Sequence, residues 1–76
     1  MKNNIDHIFI FKSNIKTDMD IYVIKTYLDI HPCIEQWNVD MDEEDRILRI
    51  VSSTLNEKNI IDLICKCGYS CEALKD

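Results

Sequence analysis

Glycine and proline occur once each in the 76 residues, at Gly68 and Pro32. One glycine cannot build a nucleotide-binding phosphate loop, which needs two or three at fixed spacing. With 46% hydrophobic and 30% charged residues, the chain is not a disordered linker either, because such chains are poor in apolar residues and rich in Pro and Gly. A basic surplus is also missing: 9 Lys and Arg stand against 14 Asp and Glu, a net charge of −5. Nucleic acid and anionic lipid are therefore not expected as partners, since binding phosphate requires cations that displace counterions. The sequence has no apolar run of the roughly 18 residues needed to span a bilayer. No Gly-x-Ser-x-Gly elbow surrounds Ser13, Ser52, Ser53 or Ser70, and no carboxylate pair sits where an apolar setting would raise its pKa, so an enzyme is not expected.

Cysteine is not scarce, with four in the chain. The apolar run near the N-terminus, Ile8 to Ile10 between His7 and Phe11, is too short for a signal peptide, so the thiols are expected to be reduced and the protein cytoplasmic. The length fits a single domain, 1–76, with a core of about 7–74.

The segment from His7 to Lys12 is β-branched and aromatic, which predicts a strand. Ile8 and Ile10 lie on one face and Phe9 and Phe11 on the other, so alternation leaves the core-facing side open. Thr17 is placed to cap a helix starting at Asp18, with Asp18 and Asp20 at the positive end of its dipole. Ile21, Ile24 and Leu28, with Tyr27 beside them, form its apolar stripe, and Pro32 ends it. A second strand runs from Ile34 through Trp37, Val39 and Met41. The polar turn Asp42–Asp45 then joins it as a hairpin to a third strand, Arg46–Val51. Asn56 caps a helix carrying Ile60, Ile61 and Ile64, Gly68 supplies the left-handed residue after it, and Ser70–Leu74 is a last short strand. The order β-α-β-β-α-β is the ferredoxin-like pattern: an α+β two-layer sandwich with a four-stranded antiparallel sheet and two helices on one face. It gathers the Ser13–Thr17 loop, the acidic hairpin and the Gly68–Tyr69 turn at one end. His31-Pro32-Cys33 and the Ser52–Asn56 connection go to the other.

The spacing resembles the heavy-metal-associated domains of copper chaperones and metal-pumping ATPases. In that family the first loop reads Gly-Met-x-Cys-x-x-Cys, the first helix ends in Leu-Pro-Gly-Val, the second strand reads Val-Asn-Val-Asp, and the second helix ends at Gly-Tyr. Here Asn14-Ile15-Lys16-Thr17 opens the loop, His31-Pro32-Cys33-Ile34 ends the helix, Trp37-Asn38-Val39-Asp40 follows, and Gly68-Tyr69 closes the second helix. The two family thiolates fall on Thr17 and Asp20. Neither is a soft ligand, so the resemblance implies the fold with a degenerate metal loop at Asn14, Ile15, Lys16, Thr17 and Asp20.

Cys65, Cys67 and Cys71 read on paper as a metal cluster, but Cys65 and Cys67 lie roughly 200° apart on a helix and cannot both address one ion. Cys71 is expected to pack in the core, and Cys67 with Cys71 is the remaining alternative site, for Cu(I) or Zn(II). His7, His31 and Cys33 meet at the far end, where His31 is expected to pack rather than ligate. Asp42–Asp45 lacks the frame of a calcium loop and reads as a solvated turn. If Leu48 and Ile50 face inward, Ile47 and Val51 face out and mark an apolar patch on the open sheet face. The expectation is a non-enzymatic interaction module without a cofactor, contacting a protein partner or a second copy through that face. The alternative is a soft-metal carrier using Cys67 and Cys71.

Overall fold

The computed structural model describes residues 7–74. Within them lie β1 (Ile8–Ser13), α1 (Asp18–Leu28), β2 (Gln36–Asp40), β3 (Ile47–Val51), α2 (Glu57–Lys66) and β4 (Cys71–Ala73). The strands form one antiparallel sheet in the order β2-β3-β1-β4, the ferredoxin-like architecture that the element order predicts.

Pairing with β3 settles which side of β1 faces the core. Phe9 lies opposite Ile50 and Phe11 opposite Leu48, and Phe11, Leu48 and Ile50 are fully buried. The aromatic side of β1 therefore meets the helices, while Ile8 and Ile10 turn to the open face. Around Phe11 the core contains Ile15, Ile24, Leu28, Ile60 and Ile64. Each such side chain contributes about 1.5–3 kcal/mol of transfer free energy when fully buried.

Both helices begin with reciprocal caps. Thr17 Oγ1 accepts from the Asp20 amide while the Asp20 carboxylate accepts from the Thr17 amide, and Asn56 and Asn59 repeat the pattern on α2. At the end of α1, Asp29 accepts from Lys25 Nζ at 2.6 Å and from Trp37 Nε1 at 2.8 Å, which ties the helix to β2. After α2, Gly68 takes φ 96°, the left-handed conformation that a side chain disfavours.

The expected strands are longer than those formed. Ile34 and Met41 lie outside β2, and Arg46 outside β3. Arg46 adopts φ 49° and its Nη1 donates to the carbonyls of Met41 (2.7 Å) and Glu43 (3.2 Å), so it closes the acidic turn instead of extending the ladder. Tyr27, expected beside the core stripe, is exposed. At about 100° per residue it lies too far around α1 from Leu28 to reach the sheet.

Candidate functional site

Three loops meet at one end of the layer and are bonded to one another. The Ser13 amide donates to Asp45 O at 3.1 Å, and Ser13 Oγ donates to Arg46 O at 2.7 Å. Asn14 and Ser70 exchange two bonds: the Asn14 amide donates to Ser70 O at 3.2 Å, and the Ser70 amide to Asn14 Oδ1 at 2.9 Å. Beside them opens a cleft of about 450 Å³ lined by residues including Lys12, Asn14, Glu44, Asp45 and Cys71.

At the two positions where the resemblance places thiolates, the chain bonds to itself. Asp20 Oδ2 accepts from the amides of Lys16 (2.9 Å) and Thr17 (3.0 Å), and Asp20 Oδ1 accepts from the Tyr69 hydroxyl at 2.6 Å. Thr17 Oγ1 accepts from the Asp20 amide at 3.1 Å. Ile15 is fully buried, whereas Lys16 is exposed and joins this network through its backbone. The carboxylate thus caps α1 with one oxygen and holds the turn between α2 and β4 with the other. The bonds from Tyr69 and then from Lys16, with smaller help from Thr17, pull its carboxyl from the ordinary 3.8 down to about 2 against the opposing effect of burial. The same contact pushes the Tyr69 hydroxyl up.

The folded carboxyl titrates below its unfolded value, so its stabilisation is complete above an unfolded pKa of about 3.9 and disappears as pH falls toward about 2. Tyr69→Phe should raise the Asp20 midpoint, followed by NMR of the side-chain carboxyl carbon, and should make stability fall less steeply over that window. An Asp20 titration unchanged in the variant would show that the hydroxyl does not control it.

The alternative ligands have a different setting. Cys67 is 9% exposed within the core cluster and Cys71 packs against it, while Cys65 points to solvent. Burial raises the Cys67 thiol, and burial followed by the nearby Cys65 pushes Cys71 to about 11. Both shifts oppose the thiolate that a soft metal requires. Among the described residues no three or more His, Cys, Asp or Glu side chains are grouped to hold a metal ion. At the far end, His31 Nδ1 accepts from the Cys33 amide at 3.1 Å, so that nitrogen is committed to the local turn.

On the open sheet face the register sets out three rows. Gln36, Val51 and Ile8 form the first, and Asn38, Arg49 and Ile10 the second, which Leu74 extends through its amide bond to Ile10 O. Asp40 and Ile47, with Lys12 and Glu72 beyond, form the third. Ile8 is 52% exposed, and Ile10 and Leu74 are also exposed. Ile47 is a correction to the expected patch, because at 7% exposure it offers a partner almost nothing. Val51 is half-buried and stays at its margin. The sequence places Tyr69 only in the turn after Gly68 and Leu74 only at the end of the last strand, with no site role for either. Leu74 was discoverable from its parity with Glu72, whereas the partner of Tyr69 lies 49 residues away.

No family model and no curated protein matches the chain. Among solved structures, the apo form of the HMA domain of a copper chaperone for superoxide dismutase superposes with a TM-score of 0.78 at 12% identity, covering 99% of this chain and 79% of that one. A chain from a structure described as "Crosstalk between Cu(I) and Zn(II) homeostasis" superposes with a TM-score of 0.73 at 10% identity, covering 88% of this chain and 97% of that one. The chain has the fold of the heavy-metal-associated domains, as its residue spacing implies. Among the described residues no helix is long and apolar enough to cross a membrane.

Proposed function

We propose that this chain is a non-enzymatic binding module on the heavy-metal-associated fold, its metal loop converted into a structural latch, and that it acts by protein contact at the open face of its sheet. The observation that carries the reading is the Asp20 carboxylate, which accepts three loop and turn donors at 2.6–3.0 Å where the resemblance places a thiolate. A carboxylate so engaged is a hard ligand already satisfied by its own chain, and the hydroxyl across the cap is no better for a soft ion. The exposed isoleucines of the sheet supply the contact surface, since exposed apolar patches on a soluble domain mark interfaces. On this reading the protein carries no metal cofactor, does not bind nucleic acid or membranes, and works in the reducing cytoplasm, where free thiols persist.

Titration with Cu(I) and with Zn(II) under reducing conditions, on the unchanged chain and on Cys67→Ser, tests the proposal. The expected result is no binding tighter than micromolar in either protein. Stoichiometric, Cys67-dependent binding tighter than that would replace the proposal with a soft-metal carrier using Cys67 and Cys71.

A further inference from the structure

The turn between α2 and β4 sets two thiols on either side of a chain reversal. Cys65 and Cys71 stand three residues before and three after Gly68, whose φ of 96° turns the chain back on itself. Backbone bonds close the reversal, from the Gly68 amide to Cys65 O at 3.0 Å and from the Tyr69 amide to Ile64 O at 3.2 Å. Because α2 packs on β4, the last turn of the helix lies over the start of the strand.

Side-chain direction separates this pair from the other thiols. Ile64 is fully buried and marks the inward side of α2. At about 100° per residue, Cys65 falls to one flank of it with Ile61, and Cys67 to the other with Leu63. Leu63 lines a cleft with His31, which follows α1, so the Cys67 flank is turned toward α1 and the Cys65 flank overhangs β4. On β4, Cys71 lies opposite Ser13 and Ala73 opposite the buried Phe11, so Cys71 rises on the side of the sheet that the helices cover. Cys67 is enclosed in the core, and Cys33 lies beyond α1 at the far end of the layer. The charge of Cys65 reaches Cys71 directly, since after burial it is the second cause that pushes the Cys71 thiol up.

We propose that Cys65 and Cys71 form a reversible oxidation site, which a low-molecular-weight disulfide of the glutathione kind converts into a disulfide bridge. All four thiols are free in this structure, which is the reduced form. Cys65 is exposed and meets the oxidant, whereas Cys71 is half-buried beneath it. The Cys65 sulfur attacks one sulfur of the oxidant, whose S–S bond breaks, and one glutathione leaves as a thiol. The Cys71 sulfur then attacks the Cys65 sulfur of the mixed disulfide, and the second glutathione leaves. The two cysteine protons end on the two glutathiones, and the two electrons that the chain loses reduce the oxidant. The first step prepares the second, because a Cys65 joined to glutathione no longer carries the negative charge that disfavours the Cys71 thiolate. The bridge fastens β4, a three-residue strand at the edge of the sheet, to the helix above it. In a reducing compartment such bridges are transient and serve sensing rather than structure.

The test treats the unchanged chain, Cys67→Ser, Cys65→Ser and Cys71→Ser with oxidised glutathione under native conditions. Free thiols are then blocked, linkages are mapped by mass spectrometry, and urea unfolding of each product is measured. The unchanged chain and Cys67→Ser should each gain a Cys65–Cys71 link within one chain and lose it again on addition of dithiothreitol. Their urea midpoints should rise by about 1–2 M on oxidation, since a cross-link restricts the unfolded chain. Cys71→Ser should stop at a glutathione adduct on Cys65, and Cys65→Ser should leave Cys71 free. An unchanged chain that stops at the adduct, that links Cys67 to Cys71, or that joins two chains through Cys65 would overturn the pairing. A midpoint that falls on oxidation would overturn it as well, because the native fold would then hold the two sulfurs apart.

Discussion

Replacing Thr17 and Asp20 together by cysteine should turn the chain into a Cu(I) binder, with affinity at least about a hundredfold above that of the unchanged protein. The backbone is already arranged for it. The cap residue and the third residue of α1 are close enough for the Thr17 hydroxyl to take the Asp20 amide at 3.1 Å, so two sulfurs at these positions stand one helical turn apart. They would sit at the positive end of α1, where the dipole favours thiolate. The substitution also releases the Tyr69 hydroxyl, which donates to Asp20 at 2.6 Å in the unchanged chain. Loss of the capping box costs about 0.5–2 kcal/mol, a modest share of the roughly 4–11 kcal/mol available to a chain of this length. Competition against a chromogenic Cu(I) chelator measures the gain. A double variant that competes no better than the unchanged chain would show that the fold no longer supports the site, and that more than two ligands were lost.

Phe11→Ala should be the most damaging single truncation in the sheet, at about 3–5 kcal/mol, while Ile8→Ala three residues earlier on the same strand should fall within about 0.5 kcal/mol. Phe11 is fully buried among side chains from both helices and β3, whereas Ile8 is 52% exposed. Removing the phenyl ring opens a cavity inside the buried cluster that also contains Ile15, Ile24, Leu28, Leu48 and Ile60. Against roughly 4–11 kcal/mol for a chain of this length, that loss takes about a quarter of the stability or more. Urea denaturation of the two variants beside the unchanged protein measures both. A larger cost for Ile8→Ala than for Phe11→Ala would mean that β1 presents its aliphatic rather than its aromatic side to the helices.

That pair of variants also marks where the sequence stops being readable. The elements and their order follow from local signals: a cap at Thr17, another at Asn56, Gly68 after α2, and a polar turn at Asp42–Asp45. The orientation of β1 does not, because both its sides are apolar, and only its pairing with β3 distinguishes them. The loop is legible as far as Thr17 and Asp20, whose mutual bonds span three residues. Tyr69 is a different matter, since nothing local to it announces a partner on α1. The exposure of Tyr27 escapes the sequence for a related reason. Tyr27 lies next to Leu28 in sequence but well around the helix from it, and an apolar residue beside a core stripe looks like part of that stripe. Ile47 faces the open side by alternation, yet it is almost covered, since parity fixes direction and not accessibility.

The Asp20 carboxylate also has a place in the order of folding. Its bonds to the Lys16 and Thr17 amides close loops of only four and three residues, so they form as soon as the first turn of α1 does. Its bond to Tyr69 joins residues 49 apart, and the neighbouring Asn14–Ser70 bond joins residues 56 apart. Contacts of that span bear a large loop-closure entropy and wait until β1 has found both of its neighbours in the sheet. One side chain therefore takes part in one of the earliest events of the chain's folding and in one of its last.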